Sequence, residues 1–313
     1  MTTVIKTSNL NKCYKKGVRG RKVEALSSLD LEVRQGEVFG FIGSNGAGKS
    51  TTIKILMGLI RPSVGQAWLF DRQVTEPRSR ERVGYLSEHP HFYDFLTPIE
   101  LFRLFGTIRG MEPKLIRQRT EELLNLVSLA EAANRKIRGF SKGMVQRLGI
   151  AAALLGDPDL LILDEPMIGL DPLGRHLVAT LIRDLQEQGK TIFFSTHIIP
   201  DIETLCDRVG ILVKGAMKYV GSIGQALYPA VGKLELTFRA EPQRAAELAV
   251  SQQIHYLWQK EGAFRAEIVE QQLPGLTEKI LAIGGSVITI ELKKRSLEEL
   301  YLTIDDDQNA ANG

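Results

Sequence analysis

Cysteine is scarce in this 313-residue chain: Cys13 and Cys206 are the only two. They stand far apart and match no metal-ligand spacing, so they read as reduced thiols rather than as a disulfide framework. Long apolar runs are missing too. A membrane span needs roughly 18–20 apolar residues, and the best candidate, LGIAAALLG from Leu148, falls well short of that. The opening MTTVIKTSNLNK lacks the apolar core of a secretory leader. Charge of one sign is also in short supply. Forty Lys and Arg against 37 Asp and Glu leave a net +3, too little to argue for direct nucleic-acid binding. These absences lead us to expect a soluble, cytoplasmic protein whose link to a membrane runs through a partner.

What is present is enough to build a core, with 43% hydrophobic residues. The length allows one large domain and a smaller one. The first forty residues alternate as strands: VIKTSNLNKCY, VEALSSLDLEV and EVFGFIG. STTIKILMGLI has helical spacing, and RPSVGQAWLF reads as a turn and a strand. A helical region is expected from about Thr97 to Leu155. It opens with TPIE: Thr97 as N-cap, Pro98 at the first helical position and Glu100 closing a capping box. LIRQRTEELLNLVSLAEAA continues it. LLILDEP and TIFFSTH then read as buried strands, and strands alternating with helices imply a mostly parallel α/β sheet. After Gly221 the order becomes strand, helix, two strands, helix, strand, which suggests a small ferredoxin-like unit over about residues 222–304. The acidic stretch DDDQNAANG, residues 305–313, is expected to be a disordered tail.

GSNGAGKS fits G-x-x-x-x-G-K-[ST], with a strand before it and a helix after. Gly43, Ser44, Asn45, Gly46, Ala47 and Gly48 can bring backbone N–H groups onto phosphate oxygens, because no bulky side chain blocks the approach. The helix N-terminus adds partial positive charge. Lys49 supplies a full charge to the β- and γ-phosphates. Ser50 offers a hydroxyl to Mg²⁺, and Thr51 follows it. LLILDEP delivers two carboxylates at a strand end. Neighbours on a strand point to opposite faces, so Asp164 is expected to hold Mg²⁺ and Glu165 to polarise an attacking water.

With these motifs in order, the chain resembles the ATP-binding cassette family over roughly Val4 to Gly221. FSKGMVQRL is similar to the family's signature sequence, GLD to its D-loop with Asp171, and STH to its switch with His197. Tyr14 in KCYKK resembles the aromatic that stacks on adenine, although such a tyrosine also reads as an ordinary core or surface aromatic. The resemblance implies an ATPase subunit with ATP and Mg²⁺. Its fold would be a P-loop core with an antiparallel β subdomain, a helical subdomain over about 89–156 and a small α+β C-terminal domain. It also implies a head-to-tail dimer in which Ser141 and Gly143 of one copy meet the nucleotide of the other. Ser141 would cap the helix beginning MVQRL at the same time. A separate polytopic membrane permease would dock on the helical region and hold the chain at the cytoplasmic face of the membrane.

Two departures stand out. Glu88 occupies the place of the usual glutamine, where a carboxylate can still coordinate Mg²⁺ or water. The signature reads SKGM, with Lys142 and Met144 replacing glycine and glutamine while Ser141 and Gly143 are kept. His89, His91, His176 and His255 match no motif and are expected on the surface or in packing. The C-terminal domain is similar to the extra domain of the drug, sodium and lipid exporter branch through SLEELYLTI, with a packing or dimer-supporting role. A soluble ATPase switching on ribosomes or nucleic acid is the competing function. One cassette, no coiled-coil insertion and the small net charge weigh against it.

Overall fold

The computed structural model describes residues 2–16, 21–228, 233–251, 257–260, 263–293 and 296–310. His255 and the last three residues lie outside them. The chain divides into two compact units, Met1–Ile223 and Gly224–Gly313.

In the first unit, β1 (Thr3–Lys16) and β2 (Arg21–Arg34) pair antiparallel, and β3 (Val38–Ile42) leads through the glycine loop into α1 (Lys49–Leu56). Next come β4 (Val64–Leu69), β5 (Arg72–Gln73) and β6 (Val83–Leu86). The helical stretch is α2 (Pro98–Ile108), α3 (Pro113–Leu126) and α4 (Lys142–Leu154). It gives way to β7 (Leu160–Asp164), α5 (Pro172–Glu187), β8 (Thr191–Thr196), α6 (Ile199–Leu205), β9 (Arg208–Val213) and β10 (Ala216–Ser222).

Two sheets result. One is antiparallel, in the order β2-β1-β4-β5. The other runs β10-β9-β3-β8-β7-β6 and is parallel apart from the β10–β9 pair. Every residue of β3, β7 and β8 is buried. That is why these strands read as unbroken apolar runs: both faces of a parallel sheet are covered. Phe193 of β8 stacks on Phe39 at 5.8 Å and tilts against Phe41 at 5.3 Å between ring centroids.

The capping box at Thr97 is formed as the sequence implies. Glu100 N donates to Thr97 Oγ1, and Thr97 N donates to the Glu100 carboxylate at 2.8 Å. The end of the next helix differs from expectation. VSLAEAA does not continue α3, because Ser128 turns left-handed (φ 54°). Leu129 N then donates to Leu124 O at 2.8 Å and Ser128 N to Asn125 O at 3.0 Å, the pattern that closes a helix when a residue after it enters that region.

The second unit follows α7 (Ile223–Leu227), whose first residue closes the first unit. It contains β11 (Lys233–Arg239), α8 (Pro242–Ser251), β12 (Leu257–Lys260), β13 (Ala263–Val269), α9 (Leu273–Ala282) and β14 (Ser286–Leu292). The strand order is β12-β13-β11-β14, all antiparallel. Alternate residues of β11, namely Leu234, Leu236 and Phe238, join Ala245 of α8 and Ile280 of α9 in a separate core. One correction belongs here. The acidic stretch expected as a disordered tail continues α10 (Leu297–Ala310) as far as Ala310. Ser296 caps that helix by accepting from Glu299 N at 3.0 Å. No glycine or proline lies within it to stop propagation.

Candidate active site

The glycine loop joins the carboxyl end of β3 to α1. Gly48 sits at φ 113° and Gly46 at φ 83°, conformations that side-chain-bearing residues rarely adopt. A Cβ on Gly43 would lie 2.6 Å from Leu212 O and 2.9 Å from Ala47 Cβ. The loop is therefore bare for steric reasons on its inner side, and its N–H groups lead into the positive end of α1. Lys49, only 6% exposed, folds back over the loop. Its Nζ donates to Gly43 O at 2.6 Å and to Ser44 O at 3.3 Å.

Opposite stands the end of β7. Asp164 closes the strand and is buried at 2% exposure. Glu165 follows with φ 51°. This corrects the reason for their separation. The two carboxylates diverge because the chain leaves the strand through a left-handed residue, not through strand alternation. Glu165 Oε1 lies 3.5 Å from Lys49 Nζ, and Oε2 lies 3.0 Å from His197 Nδ1. Glu165 thus bridges the lysine of the glycine loop and the histidine at the end of β8.

The acidity of Asp164 reflects its surroundings. Burial pushes its carboxyl up from the ordinary carboxylate value; hydrogen bonds from Ser195 and Ser50 pull it down; Glu88 pushes it up again, and Lys49 pulls down. The Ser195 hydroxyl donates to Asp164 Oδ1 at 2.5 Å. Ser195 Oγ in turn accepts from Glu165 N at 3.1 Å. Gln146 of α4, also buried, donates from Nε2 to the carbonyls of Glu165 at 3.1 Å and Pro166 at 3.3 Å. Neither Ser195 nor Gln146 was singled out from the sequence. A hydroxyl in the otherwise apolar TIFFS, and an amide on a helix face among Leu148 and Ala151, are the signals that point to them.

The cleft between these walls holds about 270 Å³ and is lined by Ser44, Asn45, Ser50, Thr51, Glu88 and Glu165 among others. Size alone does not mark it. A cavity of about 620 Å³ between α2 and α3 is larger, but Ile99, Ile116 and Leu124 wall it, and it has no glycine loop. Not every expected residue reaches the cleft. Tyr14 lies on β1 opposite Val23, 38% exposed, with Lys12 Nζ 5.2 Å from its ring centroid. Ser141 caps α4 by accepting from Met144 N at 3.2 Å, and Asp171 caps α5 by accepting from Gly174 N at 2.7 Å. A Cβ on Gly143 would stand 3.4 Å from Gly169 O, so these two turns lie side by side. Tyr14, Ser141, Gly143 and Asp171 are not among the residues lining this cleft, and neither are Gly43, Ala47, Asp164 and His197, although Asp164 and His197 stand beside it through Ser195 and Glu165.

Residues 26–168 match the family model described as ABC transporter. An uncharacterized ABC transporter ATP-binding protein of Nostoc sp. is 38% identical over 304 residues, covering 96% of this chain and 89% of its own length. The chain belongs to the ABC transporter ATP-binding proteins. The bacitracin transport ATP-binding protein of Bacillus licheniformis is 36% identical over 97% of this chain and 98% of its own. Among solved structures, a dimeric ATP-binding cassette in a post-hydrolysis state with ADP and Pi superposes with a TM-score of 0.65. It shares 26% identity and covers 70% of this chain and 98% of that one. This ABC subunit therefore has the cassette's mixed α/β architecture with a P-loop core, and it is an ATPase.

Proposed function

We propose that this ABC subunit hydrolyses ATP to drive export of a solute through a separate polytopic membrane protein, working as one of a head-to-tail pair of ATPases. The observation that carries the chemistry is Glu165, held off β7 in a left-handed conformation and aimed over the phosphate loop between Lys49 and His197. Glu165 is the base that orients the attacking water, and His197 holds that carboxylate in place. Lys49 and the loop amides from Gly43 to Thr51 take the β- and γ-phosphates.

Asp164, Ser50 and Glu88 suit Mg²⁺. They are oxygen donors gathered around a buried carboxylate that Ser50 already bonds and Glu88 already repels. Among the described residues no three His, Cys, Asp or Glu side chains form a complete metal cage, which agrees with an ion that takes most of its shell from phosphates and water. When bound, Mg²⁺ neutralises the charge on the β- and γ-oxygens. Tyr14 stacks on adenine.

Ser141, Gly143 and Asp171 are assigned to the partner's nucleotide. The kinship with a bacitracin transport protein supports a transport role. Among the described residues no helix is long and apolar enough to cross a membrane, so the proposal places the transport path in the partner and this chain at the cytoplasmic face beside it. Direct nucleic-acid contact is not part of the proposal, in keeping with a net charge of +3.

The test uses tagged Glu165→Gln in its native host with MgATP and gently solubilised membranes. A stoichiometric polytopic membrane protein should co-purify. Ribosomal or nucleic-acid proteins in its place, with no membrane protein present, would leave the ATPase standing and remove the transporter.

A further inference from the structure

The cavity between α2 and α3 has no part in the chemistry above. None of its lining residues lines the phosphate cleft. It lies in a helical hairpin, where the short connection from Ile108 to Pro113 folds α3 back along α2. The two helices touch: a Cβ on Gly106 would stand 2.5 Å from Ile116 Cγ1. The space is therefore not a loose seam along the whole pair. At about 620 Å³ it falls within the range of small-molecule sites.

Its walls carry two chemistries. Ile99, Ile116, Leu124, Ala130 and Ala133 supply carbon, with Ile116 and Leu124 buried at its floor. Arg103 of α2 and Arg117 of α3 supply charge. Each stands about one turn from the connection, so the two come level across the hairpin. The side chain of neither makes a hydrogen bond or an ion pair with any described residue. The carboxylates nearest in sequence do not answer them. Glu100, one turn before Arg103, accepts from the amide of Thr97 at 2.8 Å, and Arg103 is the smallest influence on its acidity. Glu121, one turn after Arg117, lines the cavity without pairing to it. Two like charges facing each other across a cleft repel. An anion set between them removes that repulsion and gives each guanidinium a charge-assisted partner.

We propose that the α2–α3 cavity binds a single-chain anionic amphiphile, its carboxylate or phosphate head between Arg103 and Arg117 and its hydrocarbon chain along Ile99, Ile116, Leu124 and Ala130. Charge complementarity selects the head, and the apolar walls select the tail. A free inorganic anion leaves the apolar walls wet. A neutral hydrocarbon leaves the guanidiniums opposed. The site needs neither nucleotide nor a second copy, so it is independent of the ATPase pair proposed above.

The test is calorimetric titration of the full-length, nucleotide-free chain with alkyl phosphates and alkyl carboxylates below their micelle concentrations. Dodecyl phosphate should bind one per chain, and dodecanol roughly tenfold more weakly or worse. From hexyl upward, each added methylene should tighten binding by up to about fourfold, and the gain should stop once the cavity is full. The tighter head group names the source, a fatty acid or a phosphate-bearing lipid. Arg103→Gln and Arg117→Gln, both at exposed positions, should melt and hydrolyse ATP as wild type. Each should weaken dodecyl phosphate roughly tenfold and leave dodecanol little changed. Ala130→Phe, also at an exposed position, should end the chain-length gain at a shorter chain. No saturable binding, equal affinity for the alcohol, or affinity untouched by both arginine variants would overturn the inference. In each case ATP hydrolysis and MgATP-dependent pairing of Glu165→Gln are unaffected, so failure here is distinct from failure of the ATPase reading.

Discussion

One hydroxyl orients both acidic residues of the site. Ser195 donates to Asp164 and accepts from the amide of Glu165, and it is fully buried. It acts through these two neighbours, so its loss should loosen geometry rather than remove a reacting group. Ser195→Ala is expected to lower kcat about 10- to 100-fold, the usual effect of losing a residue behind a metal ligand, the role proposed for Asp164, with ATP affinity little changed. Steady-state ATPase assays beside nucleotide titration check this; an equal loss of affinity would instead place Ser195 in binding. Asp164 supports a prediction about stability. Its carboxyl is held above the ordinary value, chiefly by burial. A group raised in the fold is favoured there when protonated. Ionised Asp164 therefore burdens the fold at neutral pH, and the burden eases as pH falls through its raised value. Asp164→Asn should abolish hydrolysis and raise Tm near neutrality by roughly 2–4 °C for each kcal/mol relieved. The gap from wild type should narrow on acidification, as thermal melts across pH would show.

Helix α2 is the element whose start is most completely written in its residues. Threonine, proline and a glutamate three places on specify a start that the structure builds with both reciprocal hydrogen bonds. Thr97→Ala should cost about 1 kcal/mol, read as a lower Tm and faster amide exchange in the first turn of α2. The phosphate loop and the fully buried strands were equally legible, because glycine spacing and unbroken aliphatic runs are local signals. What escaped depends on distant contacts. A serine carries little local sign that it will turn left-handed, so α3 appeared to run on past Ser128. The acidic composition of residues 305–310 suggested disorder, although nothing in it breaks a helix begun at Ser296. Ser195 and Gln146 were missed because their partners, the backbone around Glu165, lie 30 and 19 residues away. The divergence of Asp164 and Glu165 was expected, but for a local reason when a backbone torsion supplies it.

Across the first unit, the sheet order gathers the site. β6, β7, β8 and β3 run parallel and adjacent. Their carboxyl ends bring together Glu88, Asp164, His197 and the loop from Gly43, from segments spread over more than a hundred residues, as open α/β sheets do. The conformation of Glu165 bears on the protein as a whole. A non-glycine residue in the left-handed region costs about 1–2 kcal/mol. Glu165→Ala and Glu165→Gly both remove the carboxylate and both should be inactive. The glycine variant should nevertheless be the more stable, by on the order of 1 kcal/mol in denaturant titration, reversing the order these residues show within helices and strands. Function and foldability thus make opposite demands on one position. A screen for thermal robustness that ignored turnover would drift toward glycine at 165 and silence the enzyme as it hardened it.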